Sequence, residues 1–269
     1  MFLIWISVFI LGAIIGSFLN VVILRYNTGR SVNGRSGCLS CGYQLKWYDM
    51  VPIFSWLSLR GRCRKCSSKI SIQYPLVEFG TAILFVVLFW SALPFLEYLN
   101  LILLYFIWNA IIFSILIVIF VYDIRHKIIP DSLSFTFALL ALTQTLIIFP
   151  FGSELTIVNY LNLFAGPLLF LPFYLLWKVS SGRWIGLGDG KLALGIGWYL
   201  GFIYGLSAII FSFYLGAICA ITAMLIERLK PKIKNITMKT EVPFAPFLII
   251  GIIVEFLIRI DLLGISLFF

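Results

Sequence analysis

Long apolar runs separated by short polar or glycine-containing stretches account for most of the chain. A helix needs roughly 20 residues to cross a hydrocarbon core about 30 Å thick, and most of the runs reach that length. The pattern predicts eight spans, at residues 1–24, 76–95, 99–121, 132–150, 158–177, 191–203, 206–226 and 244–260. No charged residue occurs from Leu192 to Ile226, which is too long for one crossing, so Gly201 and Gly205 mark the expected division. The sixth span is then short and rich in glycine. Only between Arg25 and Pro75 does polarity rise over a stretch large enough for a soluble module. The expected organisation is a first transmembrane helix (1–24), an insert (25–75) and a transmembrane domain (76–269).

Composition turns this pattern into a class. With 62% hydrophobic and 12% charged residues, and a mean hydropathy of +1.07, the chain lacks the polar surface of a water-soluble globule. It reads as an all-α polytopic membrane protein. No Lys or Arg precedes the first span and no small-residue cleavage pattern follows it, so the span is expected to be retained rather than removed as a signal peptide.

Charge then orients the spans. With the N-terminus outside, the inward loops are 25–75, 122–131, 178–191 and 227–243, and they hold nineteen of the twenty Lys and Arg residues. The outward turns near Glu97, Glu154 and Asp261 carry almost none, Arg259 being the exception. The net charge of +9 is therefore mainly a topology signal, with membrane lipid as the partner of the basic face and no call for nucleic acid.

The insert contains Cys38, Cys41, Cys63 and Cys66, two C-x-x-C pairs at a spacing close to that of zinc ribbons. In the cytoplasm thiols stay reduced, which disfavours disulfides. About 50 residues build little core, so a structural zinc held by four thiolates is favoured over unliganded thiols or a redox pair. Four protein ligands leave no position for activating water. Cys219, inside the seventh span, reads as a small packing residue.

Two acidic residues stand out. Asp123 ends the third span in "FVYDIRHKIIPD", and Asp189 precedes the sixth in "GLGDGK". An odd number of crossings precedes each, so both fall at the cytoplasmic boundary. Two carboxylates held close in a partly dry site cannot both ionise cheaply, and such a pair serves as general base and general acid together. Gly186, Gly188 and Gly190 would let backbone approach a substrate strand and relax the helix start. Helix capping is the competing reading; it explains Asp131 and stays open for Asp189. His126, the only histidine, stands between Arg125 and Lys127 as an interfacial polar residue, and no Ser-His-Asp set can be built from it. Dinucleotide and Walker fingerprints are absent from the sequence.

Taken in order, "GSFLNVVI" (Gly16 to Ile23), the Cys pairs with "WYDMVPIFSWLSLRGRCRKC", "ISIQYPLVE", "YDIRHKIIPD", "GLGDGK" and "VPFAPFL" resemble the type IV prepilin peptidases, also called prepilin leader peptidase/N-methyltransferases. The resemblance implies an intramembrane aspartic peptidase of the GxGD kind. Its catalytic residues would be Asp123, followed by the Ile129-Pro130-Asp131 turn, and Asp189, flanked by Gly186, Gly188 and Lys191. It also implies cleavage of a basic leader after Gly in prepilins or pseudopilins. Many members then methylate the freed amine with S-adenosylmethionine, and the cytoplasmic Cys tetrad is typical of these. Trp47, Tyr48, Asp49 and Glu78 are candidates for the methyl-transfer site, alongside interface-belt or capping roles. Pilus or secretion assembly machinery is a further partner. Leu39 stands where many members have Pro, Gly42 and Tyr43 follow Cys41 where a His is often found, and Ala245 stands where Gly is common. The rival readings are a proton-coupled transporter using the intramembrane Asp residues and a docking platform with a membrane anchor.

Overall fold

The computed structural model describes residues 2–29, 31, 33–95, 99–148, 157–229 and 242–262. The expected outward turns at Glu97 and Glu154, and most of the basic 227–243 loop, lie outside the described residues. Nine α-helices are described: α1 (Phe2–Arg25), α2 (Phe54–Ser58), α3 (Gln73–Ala92), α4 (Leu99–His126), α5 (Asp131–Ile148), α6 (Ile157–Ser180), α7 (Leu187–Leu200), α8 (Phe202–Leu229) and α9 (Ala245–Ile258). The only β-pairing among the described residues is two isolated bridges. This is an all-α, multi-pass membrane protein. Phe2–Arg25, Gln73–Ala92, Leu99–His126, Tyr160–Ser180 and Phe202–Ile226 are long and apolar enough to cross a bilayer. Each of the eight expected spans overlaps one helix, but α5, α7 and α9 are too short to count as crossing helices by themselves.

The chain divides into two compact units, Met1–Val118 and Ile119–Phe269. In the first, α1 and α3 form a close pair with the insert between them in sequence. A Cβ on Gly12 would stand 2.7 Å from Ala82 Cα, and one on Gly16 2.8 Å from Glu78 Cα. Two glycines four residues apart thus let the backbones approach, as small residues do between helices in lipid. Phe106 on α4 stands edge-on to Phe85 and Phe89 of α3.

In the second unit, α7 is the central post, packed by α5, α6, α8 and α9. Leu192, Ala193 and Ile196 are fully buried. A Cβ on Gly197 would collide with the backbone of Ala165, and one on Gly195 with the Phe137 ring. At 14 residues α7 is about 21 Å long, too short to cross a bilayer unaided. Its far end is fastened by Thr145 Oγ1 donating to Trp198 O (2.6 Å) and by Trp198 Nε1 donating to Leu163 O (2.9 Å). Gly201 takes φ +82, and Phe202 N donates to Asn162 Oδ1 at 3.1 Å. That single residue separates α7 from α8, whereas Gly205 lies inside α8.

Three other expectations change. The sixth span begins at Leu187, so Asp189 stands in the helix rather than before it. Asp123 lies one turn inside α4, which runs on through Arg125 and His126. Cys219 is exposed on the outer surface of α8 instead of packed within the unit. Gly197→Ala tests the central post. The added methyl has backbone in its way, so a loss of about 1–3 kcal/mol and a lowered melting temperature in detergent are expected.

Candidate functional site

Asp123 and Asp189 lie within electrostatic reach of each other in the second unit. Asp123, on the last turn of α4, is 4% exposed, and Asp189, on the first turn of α7, is 9% exposed. The two carboxylates are near enough to interact electrostatically, Asp123 acting on Asp189. One occupies a helix C-terminus and the other a helix N-terminus, so their backbone surroundings differ. Gly186, in extended conformation, is the N-cap of α7, three residues before Asp189.

A third element enters that sequence reasoning did not assign to the site. Ala245 N, at the first residue of α9, donates to Asp123 Oδ2 at 3.2 Å. The first N–H groups of a helix have no partner within it. In "VPFAPFL" Pro243 and Pro246 carry no N–H, so Phe244 and Ala245 are the backbone donors between them, and it is Ala245 that meets Asp123. Prolines bracketing a helix start were the available signal, but nothing in the spacing says that the donor would meet a residue 122 positions earlier.

The three glycines divide. A Cβ on Gly188 would lie 2.9 Å from Ile129 Cβ, and one on Gly190 3.1 Å from Phe173 Cβ. Both are taken up by packing against the chain itself. At Gly186 the nearest atom to an added Cβ is Asp189 Oδ2, at 3.4 Å. Lys191 points to the start of α5: its Nζ is 2.6 Å from Asp131 Oδ1 and 5.4 Å from the Phe135 ring centre. Because Asp131 is 66% exposed, this pair is worth at most about 1 kcal/mol. Lys191→Met is therefore expected to leave the melting temperature nearly unchanged.

The Cys tetrad forms in the first unit from two matching knuckles. Bridges Gly37↔Gln44 and Arg62↔Lys69 close them. In the first, Gly42 N donates to Cys38 O, and in the second, Ser67 N donates to Cys63 O, each at 2.9 Å. Gly42 (φ +70) and Ser67 (φ +56) make the same left-handed turn after the second Cys of each pair. All four Sγ atoms lie within 4.8 Å of one another, and Cys38 and Cys66 are 3.8 Å apart. Zinc–sulfur bonds of about 2.3 Å in a tetrahedron require sulfurs about 3.8 Å apart, so the four residues fit the ion. Ser68 Oγ lies 3.5 Å from Cys38 Sγ and 3.1 Å from Cys66 Sγ. The Ser68 hydroxyl, with backbone groups of Cys41 and Ser40, brings the Cys38 thiol down to about 5, and it lowers Cys66 too. Both shifts favour the thiolate that a metal needs, whereas burial and the neighbouring thiols push Cys41 up to about 11.

Asp49 and Glu78, considered above for methyl transfer, are both engaged. Asp49 is buried, pairs with Arg64 Nη2 at 2.8 Å and accepts from Lys46 N at 3.3 Å. Glu78 lies beyond the first turn of α3, so it does not cap that helix; its Oε2 accepts from Ile53 N at 2.7 Å. Trp47, in contrast, is 76% exposed.

Two family models match the chain. The Bacterial Peptidase A24 N-terminal domain matches residues 10–92, and the Type IV leader peptidase family matches residues 110–221. A prepilin leader peptidase/N-methyltransferase of Myxococcus xanthus is 33% identical over 236 residues, covering 84% of this chain and 65% of that protein. Similar proteins of the same name occur in Pseudomonas putida (29% identical, covering 90% of this chain and 86% of that protein) and Pectobacterium carotovorum (32%, 72% and 74%). No solved structure matches the chain.

Proposed function

This chain belongs to the type IV leader peptidase family, and from that premise we propose that it is a membrane aspartic endopeptidase. It removes the basic leader of prepilins or pseudopilins after Gly, then methylates the new N-terminus. The observation that carries the reading is that Asp123 and Asp189, two buried carboxylates from distant parts of the chain, lie near enough to interact electrostatically. In this reaction one carboxylate draws a proton from water while the other, protonated, donates to the scissile carbonyl. The water oxygen bonds to the carbonyl carbon, giving a neutral tetrahedral gem-diol. Its collapse breaks the C–N bond: one hydroxyl returns its proton to the ionised carboxylate while the other, protonated carboxyl gives its proton to the leaving nitrogen. No acyl-enzyme forms. Ala245 N holds Asp123 in register, and Lys191 ties the start of α7 to α5.

Clustering of Lys and Arg in alternate loops supports an inner-membrane location with the N-terminus outside and both the insert and the Asp pair at the cytoplasmic face. A prepilin, with a basic leader followed by an apolar helix, presents its scissile bond at that depth. S-adenosylmethionine is the methyl donor that this reading requires. Its sulfonium supplies an activated methyl group, so the chain has mainly to align a neutral amine. Cys38, Cys41, Cys63 and Cys66 would hold a zinc ion, which supplies a cross-link for the insert. The transporter reading has no support from the relatives, and Asp123 and Asp189 stand at helix ends rather than midway along a span.

Co-expression with a prepilin, read by mass spectrometry, tests the proposal. Loss of the leader with a gain of about 14 Da, one CH₂, at the new N-terminus is expected. An intact leader in the presence of folded, membrane-inserted enzyme would overturn it.

A further inference from the structure

We infer that the segment from Trp47 to Leu59 is seated in the bilayer surface, with Phe54 and Leu57 among the acyl chains and the cations that follow on anionic lipid headgroups. Five observations within the first unit lead there. The segment exposes large apolar side chains, Trp47 at 76%, Phe54 at 72% and Leu57 at 57%, which a small water-facing module would bury. Its depth is set by the hydrogen bond from Ile53 N to Glu78 Oε2. Glu78 is the sixth residue of α3, about 7.5 Å along the axis from Gln73. A helix of 20 residues is about as long as the hydrocarbon core is thick, so its start marks the membrane edge. A backbone pinned at the level of Glu78 therefore lies below that edge, within the 5–10 Å or so that interfacial helices penetrate.

The outer face of α3 is already lipid-like at this level, with Leu76 61% and Phe79 48% exposed, so the apolar surface is continuous with that of the span. The turn that aims the segment is itself unusual. Ile53 adopts φ 64 and ψ −54, and Phe54 N donates to Pro52 O at 2.6 Å, a strained γ-turn on a β-branched residue. The Glu78 carboxylate holds its central N–H. Charge selects the headgroup. Arg60, Arg62, Lys65 and Lys69 follow directly and are exposed, while the sole acidic residue of the insert, Asp49, is engaged by Arg64.

The test uses the full chain in nanodiscs of phosphatidylcholine with or without phosphatidylglycerol. A photoreactive phenylalanine analogue replaces Phe54, Leu57 or, as a control, the equally exposed Leu39 of the first knuckle. Zinc content verifies that the insert is folded in each variant. Lipid adducts on the order of tenfold more abundant at 54 and 57 than at 39, and increased by phosphatidylglycerol, are expected for an interfacial seat. Equal yields at the three positions would overturn the inference. So would adducts that form only with added prepilin, which would make this face a substrate groove. Leader cleavage is read separately, so the seat can fail without touching the peptidase assignment.

Discussion

Asp123→Asn and Asp189→Asn are each expected to lower leader cleavage about 10³-fold or more, equivalent to at least ~4 kcal/mol of transition-state stabilisation. The amide keeps the shape and the acceptor oxygen of the carboxylate, so the side chain of the Asp123→Asn variant can still receive the Ala245 N–H and the second unit should remain folded. What is lost is the exchangeable proton and the negative charge. Methyl transfer to a substrate supplied without its leader should continue in both variants, because the Cys-rich module lies in the other unit of the chain. Cleavage retained near the wild-type rate in either variant would remove that carboxylate from the reaction.

The second large effect concerns the insert. Structural zinc contributes on the order of 10–16 kcal/mol of apparent binding free energy in small Cys-ligated modules, more than a segment of this size can replace by packing. Cys38→Ser or strong chelation is therefore expected to unfold the region around Cys38–Cys66, seen as rapid proteolysis between α1 and α3 and loss of the zinc signal. Methyl transfer should fall with it, and leader cleavage should suffer much less. Each thiol must lose its proton to bind the metal, so zinc retention should weaken as pH falls. Equal protease resistance with and without metal would contradict a structural ion.

The features visible in the sequence are those that local physics enforces. Each of the eight apolar runs foretells a helix because backbone polar groups in lipid must be satisfied within each segment. The C-x-x-C spacing foretells two knuckles because each is a local turn with its own hydrogen bond. Helix ends were less legible. Asp189 reads as preceding a span because glycines surround it, yet tertiary packing of α7 draws Gly188 and Gly190 into the helix against Ile129 and Phe173. The partners of Lys191, Glu78 and Asp123 were not legible at all. Asp131, Ile53 N and Ala245 N are brought to them by folding across 60, 25 and 122 positions, and no periodicity encodes such distances. Nor does "VPIF" announce a left-handed isoleucine, a conformation that a β-branched residue adopts only when its surroundings impose it.

The central claim is that Asp123 and Asp189 work as one unit, and a double-mutant cycle on leader cleavage tests it most directly. Groups that act only together are non-additive, so the double Asn variant should be no slower than either single variant. If the two losses instead multiplied, each carboxylate would be contributing independently, and the paired mechanism would be wrong.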